Sequence, residues 1–229
     1  MTAPQKAGTC FNNSNKNMKY PSFLFLLSFL IFTSCEKNST QEILWWHDAD
    51  FVELDASDFE LNIADTSATG NFVKFSFSEA NTVTHDNWDV AFRGTTLIVN
   101  GGEKAHNDQP DRTGNAAVYI SNGSMSDIDS VEANRLLQDN SSGSAILNNI
   151  MIDDLGVSGE GWASYSFSTH LFSPRAGRIL VFRTHDNKYA KMEILYFYDS
   201  RNPDTGSGDI GGFYTFNYVY QFEEGNTMF

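Results

Sequence analysis

The chain predicts an all-β fold: a mostly antiparallel single domain, interrupted by one irregular segment with room for short helices. Three observations carry this. Apolar residues alternate with period two, as strands with one buried face require, and not with the 3.6-residue period of a helix. The alternating runs are short and are separated by clusters of Asn, Asp, Gly and Ser, the residues of tight turns. Most runs follow one another with no helical stretch between them, which favours hairpins over parallel crossover units.

The elements follow in order. Residues 1–34 stand outside the domain. Residues 22–32, SFLFLLSFLIF, form an apolar run of eleven. A membrane-spanning helix needs roughly 20, so the run suits the apolar stretch of a secretory signal instead. Lys19 precedes it, and Met18 is an alternative start that would leave residues 1–17 as an extension. Small residues Thr33 and Ser34 lead into Cys35, with Phe32 three positions before it. The arrangement resembles a bacterial lipobox, in which the cysteine takes a diacylglycerol and becomes the new N-terminus. The other reading is a plain secretory signal with a spare cysteine.

Cys10 lies upstream of the apolar run, so Cys35 has no disulfide partner in the mature chain. Stability must then come from a core, and about 195 residues are enough for one domain. Residues 1–34 hold three lysines and no acid, so their removal takes the formal charge from −14 to −17. That charge argues against nucleic acid and against adhesion to anionic headgroups. A lipid at Cys35, rather than a charged face, would hold the protein to a membrane.

Residues 35–44 are the lipidated tether and 45–222 the domain, with 223–229 as a C-terminal tail. In NFVKFSF (71–77), Val73, Phe75 and Phe77 share a face. In NWDVAFRG (87–94), Trp88, Val90 and Phe92 are expected on one face, with Asp89 and Arg93 opposite. TTLIVN and AAVYIS continue as strands. GRILVFRT and KYAKMEILYFY flank a turn around HDNK and predict a hairpin. In its second arm Ala190, Met192, Ile194, Tyr196 and Tyr198 share one face, the better core candidate. Tyr189, Lys191, Glu193, Leu195 and Phe197 share the other. In the last strand Tyr214, Phe216, Tyr218, Tyr220 and Phe222 share a face entirely, suited to core or pocket. Residues 121–161 differ. They are rich in Ser, Asn, Asp and Gly, with short helices expected at 131–138 and 145–152. A long irregular segment in a β domain is more often functional than decorative.

Catalytic signatures are missing: no HExxH, no paired CxxC, no GxSxG and no phosphate-binding glycine loop. His47, His85, His106, His170 and His185 lack the spacing of a zinc site. No Ser/His/Asp triad is singled out. DTGSGD (204–209) could hold Ca²⁺ through oxygens, or be a hairpin insertion built of turn formers.

NWDVAFRG…VNGG, RTGNAAVYI, GRILVFRTHDNKYAKMEILYFY and FYTFNYVYQF resemble the HmuY family of Bacteroidetes outer-membrane lipoproteins, from about Trp45 to Phe222. The GW…THxxxP segment (161–174) and the lipoprotein signal agree with it. The resemblance implies an all-β fold likened to a right hand. It implies capture of haem at the cell surface and transfer to a TonB-dependent outer-membrane receptor, with no catalysis. It places the protein at the outer membrane or cell surface, or released from it. A non-enzymatic module of the same fold that binds a glycan or a partner protein is the alternative.

A haem site needs aromatic and aliphatic walls and one or two soft or imidazole ligands to iron. Members of the family use two His or two Met. The candidates here are His170, Met151 and Met125, with His106 as an outsider. A mixed Met/His pair is chemically reasonable, since cytochromes c use one. Each candidate has a structural alternative. Met151 could be packing, Met125 an exposed loop residue, and His170 a turn residue bonding a carbonyl. His47, His85 and His185 are expected as solvated residues of polar turns, and Met192 as core. The expected pocket lies in the irregular segment from Met125 to His170.

Overall fold

The computed structural model describes residues 46–62, 67–146, 151–152, 158–199 and 211–229, all within one unit, Glu42–Phe229. The expected signal segment, Cys35 and the expected tether, Trp45 and the 204–209 stretch lie outside the described residues. The strands are β1 (Trp46–Asp55), β2 (Phe59–Asn62), β3 (Ser67–Gly70), β4 (Val73–Ser76), β5 (Asn81–Val83), β6 (Val90–Arg93) and β7 (Thr96–Val99). There follow β8 (Ala117–Asn122), β9 (Met151–Ile152), β10 (Ala163–Ser166), β11 (Leu171–Pro174), β12 (Arg178–Arg183), β13 (Tyr189–Tyr196) and β14 (Phe213–Gln221).

The long alternating runs assemble into a five-stranded sheet of order β1-β14-β13-β12-β8, antiparallel throughout. A four-stranded sheet, β5-β4-β6-β7, faces it. The rings of the two sheets meet between them. Phe75 touches Phe216 edge-on at 5.3 Å between centroids, Phe77 meets Phe182 at 5.1 Å and Tyr218 at 5.3 Å, and Phe92 meets Tyr214 at 4.8 Å. Such pairs add about 0.5–1.5 kcal/mol beyond the area they bury. Ala190, Met192 and Ile194 line the same core, as their alternation predicts. A two-stranded sheet, β2-β3, and a three-stranded sheet, β11-β10-β9, complete the described strands. Only β9 and β10 pair in parallel among them. The fold is all-β and mostly antiparallel.

Several local expectations are corrected. Trp88 does not share the face of Val90 and Phe92. It packs with Ala91 and Ile98 on the outer face of the four-stranded sheet. The chain is not yet a strand at 87–89, because Asp89 is turned inward as an acceptor for the Phe77 backbone N–H at 2.8 Å. Asp89 and Arg93, expected outside, are both buried. In β13 the pairing with β14 shifts between Ile194 and Tyr196, a bulge past which the strict alternation is lost. Leu195 is exposed, as its alternation predicts, but Phe197, assigned by period two to the same outer face, lies in the core against Trp162 and Tyr214. Phe222, past the end of β14, is exposed.

The irregular segment also differs from expectation. Only two 3-10 turns occur among its described residues, Met125–Asp127 and Ala133–Arg135. Met151 and Ile152 are extended in β9 where a helix over 145–152 was expected. Residues 125–136 cover the outer face of the five-stranded sheet, where Met125, Ile128, Val131 and Leu136 pack on Tyr119, Ile179 and Val181. Residues 223–229 join them through Phe229. Lys191 reaches through this layer to donate to the carbonyls of Met125 at 2.8 Å and Ile128 at 2.7 Å.

Candidate functional site: an aromatic hairpin carrying His170

Two hairpins of this chain are built alike. In β4–β5, Phe75-Ser76-Phe77-Ser78-Glu79-Ala80 leads into Asn81; in β10–β11, Tyr165-Ser166-Phe167-Ser168-Thr169-His170 leads into Leu171. Each places a serine hydroxyl pair at 3.0 Å, Ser76 with Ser78 and Ser166 with Ser168. Each sets the first ring edge-on to the second, at 5.6 Å for Phe75–Phe77 and 5.1 Å for Tyr165–Phe167. Each ends on a residue in the left-handed region, Ala80 at φ 53° and His170 at φ 59°. A non-glycine residue there is strained.

The twins differ in what surrounds them. Phe77 is 1% exposed and belongs to the core, whereas Phe167 is 48% exposed. The second hairpin thus presents an aromatic surface to solvent. It is rigidly rooted. Tyr165 packs on Phe172 at 4.7 Å, Phe172 meets Phe197 at 5.9 Å, and the Phe172 N–H donates to the Tyr198 hydroxyl at 2.8 Å. At the tip, His170 is exposed, with its N–H donating to the Ser166 carbonyl at 2.8 Å and its Nδ1 lying 3.0 Å from the Tyr165 hydroxyl. Which of the two donates depends on the imidazole tautomer, and Nε2 is the ring nitrogen outside this bond.

The four iron-ligand candidates fall in three places. His170 tips the β10–β11 hairpin, and Met151 lies in β9, paired with Ser164 of the same small sheet. These two thus belong to one small sheet and its hairpin. Met125 sits on the outer face of the five-stranded sheet, packed against its apolar cluster rather than loose in a loop. His106 lies in an exposed bend shortly before Asp108, whose carboxylate pairs with Arg93 at 2.6 Å. The described candidates of the irregular segment thus lie on different sheets, Met125 on the five-stranded one and Met151 in the three-stranded one beside the His170 hairpin.

The remaining histidines separate as well. His85 is exposed, with Nε2 3.0 Å from Glu79. His47 lies in β1 and not in a turn. His185, expected as solvated, is largely buried against Asp89, whose hydrogen bond raises the imidazole pKa against the opposing effect of burial. Met192 is core, as expected. Among the described residues no three His, Cys, Asp or Glu side chains gather to hold a bare metal ion. No helix among them is long and apolar enough to cross a membrane.

Tyr165, Phe167 and Phe172 were not singled out by sequence. The available signal was the repeated Ser-Phe-Ser in two hairpin-forming stretches, with a histidine in only one of them.

The profile of the HmuY protein family matches residues 68–218. Similar solved structures include a candidate lipoprotein from Bacteroides fragilis, at 16% identity, covering 76% of this chain and 91% of that one with a TM-score of 0.41. An apo HmuY analogue from Tannerella forsythia is 12% identical, with 78% and 97% covered and a TM-score of 0.42. A candidate HmuY-like haem-binding protein from Bacteroides vulgatus is 13% identical, with 76% and 92% covered and a TM-score of 0.37. No curated protein matches the chain in sequence.

Proposed function

The chain belongs to the HmuY family, and on that premise we propose that it is a haem-binding surface lipoprotein. Held by a lipid on Cys35 at the outer membrane or cell surface, it captures haem and passes it to a TonB-dependent outer-membrane receptor. The observation that supports this most directly is the exposed His170 at the tip of a rooted aromatic hairpin.

The donor set fits the group. A porphyrin brings four nitrogens of its own, so the protein must add only one or two axial ligands and an apolar wall. Tyr165, Phe167 and Phe172 supply rings for that wall. His170 supplies an imidazole with Nε2 available, and Met151, on a neighbouring strand of the same sheet, is the candidate second ligand. Met125 is committed to covering the five-stranded sheet, and His106 stands on a separate loop. Bound haem would supply an iron centre for transport. The residues' part is to stack, ligate and release, and no catalytic step is called for.

Titration of the purified protein with haemin tests this. A Soret shift that is lost or altered in His170→Ala and Met151→Ala supports it. The absence of any Soret shift in the wild type overturns it. The half-exposed Phe167 ring would also stack on a sugar face, so a surface module for glycan or for a partner protein is the second reading. Saturable glycan binding that depends on Phe167, without haemin binding, would favour it.

A further inference from the structure

We propose that Tyr165 is the positioning residue of the hairpin site: its hydroxyl oxygen accepts the Nδ1 proton of His170 and selects the tautomer whose Nε2 lone pair is open to a metal. The proposal rests on the haem-binding reading. A neutral imidazole carries one proton, and the partner of one nitrogen decides the state of the other. The two atoms lie 3.0 Å apart, close enough for either to donate; Nε2 can ligate iron only when Nδ1 carries the proton and donates to Tyr165. With the roles reversed, Nε2 would be protonated and closed to iron.

The comparison between the twin hairpins carries the assignment. The Ser-Phe-Ser frame, the serine pair and the left-handed last residue are common to both, so they belong to the turn itself. The phenol and the imidazole are not. Phe75 stands where Tyr165 stands, and Ala80 where His170 stands. The hydroxyl and the histidine occur together in the hairpin whose second ring is exposed and are both missing from the one whose second ring is buried. The β4–β5 turn forms without either, so this type of turn does not require the pair.

The phenol is also well fixed for this role. Its ring lies between Phe167 at 5.1 Å and Phe172 at 4.7 Å, and Phe172 is tied to Tyr198 by its N–H. A hydrogen-bonded partner on the second nitrogen of a metal-binding histidine orients the ring and raises its basicity, and losing it typically costs about 10–100-fold in affinity.

The test is Tyr165→Phe, which keeps the ring and removes the hydroxyl. In the haem-free protein, ¹⁵N-histidine NMR should show His170 as the Nδ1–H tautomer in the wild type, with the Nε2–H form gaining in the variant. In haemin titration the variant should bind roughly 10–100-fold more weakly, and its bound iron should be more easily reduced because the imidazole donates less. A wild-type His170 already in the Nε2–H form overturns the proposal, as does a variant with unchanged tautomer and affinity. If the wild type takes up no haemin, the haem reading falls, and the tautomer measurement alone decides the role of Tyr165.

Discussion

Asp89 Oδ1 lies 2.8 Å from Nδ1 of His185, a residue 96 positions away, and also accepts the His185 backbone N–H at 2.7 Å. The other carboxylate oxygen holds the Phe77 N–H. One buried acid thus ties the start of β6 and the end of β4 to the β12–β13 turn, joining the two facing sheets at one end. The bond raises the His185 pKa above its ordinary 6.5, with Asp186 adding to the effect and burial and Lys188 opposing it.

The sign of the pH dependence follows. A histidine whose pKa is raised on folding stabilises the fold fully below its unfolded pKa, and that contribution is lost as pH rises through the folded value. Urea unfolding should show stability falling as pH is taken upward from about 6.5, with the slope in this window reduced in His185→Gln. An unchanged slope would remove the pair from the account. Asp89→Ala should cost about 3–5 kcal/mol, because it strips the partner from a buried network.

Identical substitutions in the twin hairpins should give opposite readouts. Phe77→Ala opens the core and should cost about 3–5 kcal/mol of unfolding free energy. Phe167→Ala removes a half-exposed ring and should change stability by no more than about 0.5 kcal/mol while weakening haemin binding. Denaturant unfolding and haemin titration of both variants check this. A large stability loss in Phe167→Ala would make that ring structural.

The left-handed turn residues should respond to glycine. Ala80→Gly relieves strain at φ 53° and should stabilise by about 0.5–1 kcal/mol. His170→Gly should stabilise comparably yet abolish its axial ligation. Stability gained with binding lost would mark strain kept for function. Thermal unfolding with a parallel haemin titration separates the two effects.

Arg112 and Asp139 form a fully buried ion pair at 2.8 Å, and Asp139 also accepts the backbone N–H groups of Val99 and Ala145. Asp139→Ala leaves a buried guanidinium unpaired and should cost about 3–5 kcal/mol, lowering the melting temperature by roughly 10 °C for a chain of this size. Calorimetry reads the shift directly. A change of only a degree or two would show that water replaces the carboxylate.

Lys191 holds residues 125–128 against the outer face of the sheet through two carbonyls, and its ammonium lies 4.8 Å from the Phe229 ring. Lys191→Met should speed amide exchange across 125–131 while leaving the β12–β13 ladder protected. Uniform loss of protection would instead indicate a global effect.

Much of the framework was legible because alternation is local. Val73, Phe75 and Phe77, then Ala190, Met192 and Ile194, then Tyr214 through Tyr220 each showed their shared face in order, and each faces the core. The β12–β13 hairpin and the family were legible for the same reason. The failures came where the period breaks. Trp88 lies just outside its strand, and past the bulge after Ile194 Phe197 turns inward along with Tyr198.

The candidate site shows the division most clearly. The sequence by itself determined strands, turns and family, since each depends on neighbouring residues, and it offered a short set of candidate soft ligands. Only the tertiary structure decided which histidine is buried against Asp89 and which stands exposed at a hairpin tip. It alone decided that Met151 joins the sheet of the His170 hairpin while Met125 packs on the five-stranded sheet, and that the phenylalanine of one Ser-Phe-Ser turn is sealed into the core while its twin faces solvent. Burial is set by what distant segments lay over a residue, and the same local sequence therefore met two different fates.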